Sequence, residues 1–206
     1  MSNHTWILDA GHGGVDAAGN YTTDKKLWKR CDYPDGFTIL EGIINRQITK
    51  KVYTLLEGKG INFALVYHDV EDWSLTKRVN LANKLQEKYG NCIYLAIHSN
   101  AGGGKGFEIF TSIGQTKSDK VADIFCSIYK KSFPDYPFRA ETTDGDLDKE
   151  AKFTVLTNTV MPAVLVENLF FDERKQAEFL ASESGQDKIA ECIVAAIEEV
   201  EKTKPV

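Results

Sequence analysis

The run Cys92-Ile93-Tyr94-Leu95-Ala96-Ile97 constrains this chain more than any other stretch. It is apolar without alternation. A strand with one wet face alternates apolar and polar residues, because successive side chains point to opposite sides. An unbroken apolar strand is covered on both faces, as in a parallel sheet with helices on either side. Trp6-Ile7-Leu8-Asp9, Phe63 to Tyr67 and Ala163-Val164-Leu165-Val166 read as further strands, with shorter ones at Gly106–Phe110 and Phe153–Leu156. Between them lie helical periods. Glu41 to about Glu57 repeats Ile44, Ile48, Val52 and Leu55 at three- or four-residue steps, and Gly58 and Gly60 mark its end. Ser74 is placed to cap a helix whose stripe is Leu75, Val79, Ala82 and Tyr89. Ser118 to Lys131 turns Val121, Ile124, Phe125 and Ile128 inward. A short helix from about Asp172 to Leu180 precedes a last one carrying Ile189, Ile193, Ala196, Ile197 and Val200. Strands alternating with helices predict one α/β domain over residues 1–206 with a central, largely parallel sheet.

Composition removes several function classes. The net charge is -5 and no Lys/Arg block stands out, so no concentrated basic face for nucleic acid is expected. No apolar stretch approaches the roughly 20 residues that span a bilayer. The first residues, Met1 to Trp6, lack a basic segment followed by an apolar one, and so do not read as a signal peptide. Cys31, Cys92, Cys126 and Cys192 show no close metal-knuckle or redox spacing and are expected to be free thiols. Two segments are polar and rich in turn residues. The segment 15–38 is longer than most loops of a compact domain, which often signals function; the segment 139–152 is expected to be exposed.

The chemistry-bearing residues fall where strands end. His12 follows the first strand within Gly11-His12-Gly13-Gly14, His98 follows the central strand directly, and Glu167 ends the strand after Pro162. Ligands of open α/β sheets bind at the carboxyl ends of strands, so these residues converge on one edge. Glu41 opens a helix, whose positive end favours an ionised carboxylate. Two histidines, one carboxylate and an open water position form a common catalytic zinc arrangement. Bound water then has a pKa of about 7, and a second carboxylate is available to move its proton to a leaving nitrogen. Each residue also has a packing reading: a histidine after a strand is often only hydrogen-bonded, and Glu41 alone suits a helix start. His4 and His68 read as structural or exposed. The glycine loop lacks the Gly-Lys-Ser/Thr ending of a phosphate loop, and no G-x-S-x-G elbow supports Ser99 as a nucleophile.

Five ordered stretches resemble the zinc-dependent N-acetylmuramoyl-L-alanine amidases of the amidase-3 type, found in bacterial cell-wall hydrolases and phage endolysins. They are Leu8 to Gly14, Glu41-Gly42 with Asn45, Ile97 to Ala101, Gly106-Phe107-Glu108, and Pro162 to Glu167. The resemblance implies a mixed, mostly parallel six-stranded sheet between helices, a phosphorylase/hydrolase-like fold. It implies zinc ligands His12, Glu41 and His98, with Glu167 as catalytic acid and base. The implied substrate is peptidoglycan, cut between N-acetylmuramic acid and the L-alanine of the stem peptide. The family pattern continues to glycine-phenylalanine one residue after the late glutamate, whereas this chain has Asn168-Leu169-Phe170-Phe171, which alters the local turn. A peptidase of the same scaffold and a non-catalytic wall-binding module are the rival readings. The chain is expected to act on the wall as a monomer and without a separate anchoring domain. Tyr21, Trp28, Lys29 and Arg30 of the long loop are expected beside the metal, facing the carboxylates and sugar faces of the substrate.

Overall fold

In a computed structural model that describes residues 2–142 and 145–206, the apolar runs lie side by side. Strands β1 (Thr5–Ala10), β5 (Cys92–Asn100) and β8 (Ala163–Phe170) pair in parallel, with Leu8 beside Leu95 and Leu95 beside Val164. β4 (Asn62–Leu65) flanks β1 in parallel. On the other side β6 (Glu108–Thr111) runs antiparallel to β8 and pairs in parallel with β7 (Lys149–Glu150). The order β4-β1-β5-β8-β6-β7 makes a mixed, mostly parallel six-stranded sheet.

Both faces of the central strands are dry, which is why they do not alternate. Trp6, Leu8, Ile93, Leu95, Ile97, Val164 and Val166 join the buried sides of α1 (Glu41–Lys59), α3 (Lys117–Ser132) and α6 (Glu183–Thr203). Ile7, Tyr94, Ala96, Ala163 and Leu165 face α2 (Leu75–Tyr89) and α4 (Thr154–Thr157). The short α5 (Arg174–Ala181) packs against α6. Gly60, at φ 67°, caps α1, while Gly58 stays inside the helix.

Several elements differ from the sequence reading. Phe153–Leu156 is not a strand: Thr154–Thr157 forms one helical turn, α4, with Val155 and Leu156 buried against the sheet and α2. A short apolar run fits either state, and here tertiary packing decides. The second strand ends at Leu65, although Val66 and Tyr67 remain buried. In α2, Leu75 and Tyr89 are exposed, because the buried face is Arg78, Val79 and Ala82. The segment 15–38 contains a 3-10 turn (Lys25–Leu27) and β2 (Arg30–Asp32), which pairs antiparallel with β3 (Thr38–Leu40). Within 139–152, Asp148 is buried and β7 forms; Thr143 and Asp144 of that segment, like Met1, lie outside the described residues. All four cysteines are free thiols, Cys31 half-buried and the others buried. Among the described residues, no helix is long and apolar enough to cross a membrane.

Candidate metal centre

The site begins at the end of β1. Gly11 continues the β1–β5 pairing through its N–H to Ile97 O at 3.0 Å, and the chain then turns at His12 with φ 65°. A left-handed histidine is uncommon and is held by its surroundings. Two buried arginines supply the hold. Arg46 Nη2 donates to His12 O at 2.6 Å, and Arg78 Nη2 donates to the same oxygen at 2.9 Å. Arg46 also donates to the carbonyls of Gly13, Gly42 and His68, tying the loop to α1 and to the chain after β4. Arg78 is neutralised by Asp9 within β1, whose other oxygen accepts from Tyr94 Oη at 2.6 Å. The glycines of the loop are there for close approach. A side chain on Gly11 would collide with the His98 ring, and one on Gly14 with Asp69 O.

Glu41 is placed by α1. Its N-cap, Leu40, offers no side-chain acceptor, and the long loop supplies two instead. Glu41 N donates to Lys29 O at 3.1 Å, and Gly42 N donates to the Tyr21 hydroxyl at 2.9 Å. The Glu41 side chain is 0% exposed. Its Oε1 lies 3.2 Å from His12 Nε2 and 3.1 Å from His98 Nδ1. Asn45 Nδ2 donates to the same oxygen at 3.3 Å. The other oxygen, Oε2, is 3.1 Å from Lys29 Nζ.

His98 and Glu167 are register partners on adjacent strands, so they lie inside β5 and β8 and not after them. The strands continue because a bulge takes up the site: Ser99, between His98 and Asn100, opposes both Asn168 and Leu169 between Glu167 and Phe170. Asn168 fills the bulge, donating from Nδ2 to His98 O at 3.0 Å and accepting from Tyr129 Oη at 2.9 Å. Leu169 has φ 60°, a conformation that a glycine would adopt without a Cβ penalty. On the far side Glu108 stands opposite Glu167 in register and accepts from Asn100 Nδ2, from Arg139 Nε at 2.7 Å and from Lys149 Nζ at 2.6 Å.

The electrostatics separate the two carboxylates. Burial works to raise the Glu41 pKa, but His12 and His98 outweigh it and hold the group well below the usual carboxylate range. Burial lowers the His98 pKa against the opposing pull of Glu41, favouring the neutral ring that a metal needs. Glu167 is pushed well above its ordinary value by burial and by the Glu41 and Glu108 carboxylates, with Lys29 opposing. A cation beside it would draw that value back down.

His12, Glu41 and His98 offer ligand atoms that all lie within 4.8 Å of one another. Tetrahedral bonds of about 2.0–2.1 Å separate neighbouring ligand atoms by about 3.3–3.4 Å. The separations of 3.1 and 3.2 Å at Glu41 Oε1 are close to that value. His12 Nε2 is buried with no hydrogen-bond partner, as is Glu167 Oε2. A buried ring nitrogen left unpaired in this way is free to serve as a metal ligand. The residues therefore fit a metal held by two imidazoles and one carboxylate. A cleft of roughly 800 Å³ opens over the cluster, with Glu167 in its wall and Leu27, Leu75 and Phe153 as partly exposed apolar borders.

The remaining residues singled out in the sequence are dispersed. Lys29 reaches the centre. Trp28 is 81% exposed, and with Tyr21 and Arg30 it lines a second cleft that shares Asp24 and Lys29 with the first. Arg30 pairs with Asp32. His4 is buried against Glu201, and His68 is exposed and accepts the N–H groups of Val70 and Glu71. Sequence reasoning missed Arg46, Arg78 and the Glu108 cluster. A charged residue on the buried face of a helix was the available signal for the two arginines.

A family model described as N-acetylmuramoyl-L-alanine amidase matches residues 7–199. The endolysin of Bacillus phage SPP1 is 31% identical over 208 residues, covering 97% of this chain and 66% of that protein. A Bacillus licheniformis protein named N-acetylmuramoyl-L-alanine amidase CwlM is 32% identical over 188 residues, covering 89% and 63%. The chain thus spans just under two thirds of the length of these relatives. Among solved structures, the N-acetylmuramoyl-L-alanine amidase from Clostridium difficile 630 superposes with a TM-score of 0.79 at 26% identity, covering 99% of this chain and all of that one.

Proposed function

Because this chain belongs to the N-acetylmuramoyl-L-alanine amidase family, we propose that it hydrolyses the amide between N-acetylmuramic acid and L-alanine in peptidoglycan, using zinc held by His12, Glu41 and His98. The observation that carries the reading is the spacing of the ligand atoms around Glu41 Oε1, with the buried, unpaired Nε2 of His12 beside it. Two imidazoles and a carboxylate match the ligand preference of zinc and leave a coordination position free. When bound, zinc supplies Lewis-acid charge at the scissile carbonyl and water with a pKa of about 7.

The rest is the work of the chain. Glu167 faces the triad from the neighbouring strand with one carboxylate oxygen unpaired, and is positioned to take a proton from the attacking water and give it to the departing L-alanine nitrogen. Burial and the neighbouring carboxylates raise its pKa while a cation in the triad would oppose them, a balance that suits a group that accepts and then releases a proton. Arg46 and Arg78 keep the His12 loop in its left-handed turn, so the first imidazole needs no reorganisation on metal binding. The apolar borders of the cleft suit the sugar and lactyl carbons, and residues 1–206 serve as one catalytic module.

The test is digestion of purified peptidoglycan with product masses read with and without a chelator. The expected products carry a free muramic lactyl carboxylate and a new L-alanine amino terminus, and their release stops when zinc is removed and resumes when it is restored. Cleavage within the stem peptide, or release indifferent to the chelator, overturns the reading.

A further inference from the structure

Lys29 is the side chain of the long loop that pairs with the Glu41 carboxylate, and neither the family reading nor the mechanism above gives it a task. We propose that Lys29 is a further catalytic residue, the cationic donor that stabilises the negative oxygen formed when water adds to the scissile carbonyl. The inference rests on the zinc-amidase reading and deepens it.

Its placement is specific. Lys29 O accepts the first N–H of α1, that of Glu41, and Lys29 Nζ lies 3.1 Å from the carboxylate of the same residue. Backbone and side chain are thus both tied to Glu41. The next pair, Arg30 with Leu40, begins the β2–β3 hairpin, and Trp28 on the other side turns at φ 53°. The lysine side chain is 29% exposed and borders the same cleft as His12, His98 and Glu167.

The other cations of that cleft are not available. Arg78 is spent on Asp9, Asp72 and three carbonyls, and Lys152 is on the exposed rim. Lys29 addresses Oε2 of Glu41, while the two histidines converge on Oε1. It therefore sits beside the ligand set and not in the place of the metal. A lysine ammonium has three donors. The 3.1 Å approach to Oε2 is an ion pair without hydrogen-bond geometry, so donors remain for an oxygen in the cleft.

Charge counting gives the reason for a cation here. Zinc with ionised Glu41 and Glu167 sums to zero. Addition joins the oxygen of water to the carbonyl carbon, moves the carbonyl π pair onto oxygen and puts the water's proton on Glu167, so the sum stays the same while one negative charge passes from Glu167 to the new oxygen. The C–N bond then breaks, and the amine leaves with the proton that Glu167 took from the water. Lys29 makes the sum before addition positive, so the new charge forms against a cation already in place. Fixed donors of this kind act most strongly where water is excluded.

The experiment uses the full chain loaded with zinc, comparing wild type, Lys29→Met and Lys29→Arg on a soluble muramoyl peptide, with zinc content and thermal unfolding measured on each. Removal of one such donor typically costs about 10²–10³ in kcat. The expected Lys29→Met result is a loss of that order with KM within about threefold and zinc content unchanged, partly recovered in Lys29→Arg. Binding of a phosphonate analogue of the scissile amide, read by calorimetry, is expected to weaken by a similar factor, while product binding is preserved. A Lys29→Met chain with zinc bound and kcat within about threefold of wild type overturns the inference and leaves the zinc reading intact. A raised KM at unchanged kcat overturns it in favour of a substrate-carboxylate anchor, and loss of zinc overturns it in favour of a structural role. A wild-type chain fully active without metal removes the zinc reading and this inference together.

Discussion

Replacing Gly11 by alanine tests the metal centre without touching any proposed ligand. Gly11 does not occupy the left-handed region, so alanine adopts its backbone conformation and the effect is steric. The new Cβ would stand no more than 2.5 Å from Cε1, Nδ1 and Nε2 of His98. Ordinary contact between such atoms is about 3.5 Å, so the ring must withdraw by about 1 Å. Zinc–ligand distances tolerate only about 0.2 Å, and a ring displaced that far leaves the metal. Disturbing an outer-shell partner costs about 10–100-fold in affinity. Losing an inner ligand is therefore expected to cost more than about 100-fold. The overpacked metal-free chain is expected to lose about 1–3 kcal/mol of stability. Zinc competition against a chelating dye measures the first quantity and denaturant unfolding the second. Gly58→Ala is the control, since a Cβ there meets open space inside α1, and helix propensity favours it by up to about 1 kcal/mol. Wild-type zinc affinity in Gly11→Ala would refute the assignment of His98, because the ring could not have moved and remained a ligand.

Glu167→Gln is expected to retain zinc and fold while losing about 10²–10⁴ in turnover, as fits a missing proton acceptor; near-normal turnover in a steady-state assay rules the role out. Arg78→Met leaves Asp9, 1% exposed, without its cation and is expected to cost about 3–5 kcal/mol in urea unfolding; a loss below about 1 kcal/mol contradicts the assignment of a buried ion pair holding the His12 loop. Asp148 is pushed up to about 7 from 3.8 by burial, against its hydrogen bond from Thr111 and with Asp146 and Asp119 adding repulsion. The folded chain thus holds this proton more tightly than the unfolded chain, and the associated stability is complete below about pH 4 and is lost as pH rises to about 7. Asp148→Asn is expected to be more stable than wild type at pH 8, by about 1–3 kcal/mol, with the advantage shrinking toward pH 4; an advantage independent of pH in parallel unfolding series rejects the assignment.

By itself, the sequence determined the layers and the edge at which the site lies. Unbroken apolar runs such as Ile93 to Ile97 dictate strands covered on both faces, and helical stripes such as Ile44, Ile48 and Val52 supply the cover. His12, His98 and Glu167 come at the carboxyl ends of such runs, so their convergence was legible from local pattern alone. The structure brings His12, Glu41 and His98 together and sets Glu167 beside His98. What holds these residues was not legible. Arg46 reaches His12 across 34 positions, Arg78 reaches Asp9 across 69, and Lys29 meets Glu41 through a hairpin inside a segment that reads as loop. The same limit applies to Phe153–Leu156, a run too short to choose between strand and helix until the sheet and α2 close over it. Hydrophobic period is written within a few residues and survives any arrangement of the rest, whereas a buried charge needs a partner that only the crossing of distant segments provides. Tertiary structure alone therefore decided which carboxylate oxygen faces the histidines, which faces a lysine, and which arginines fix the left-handed turn at His12.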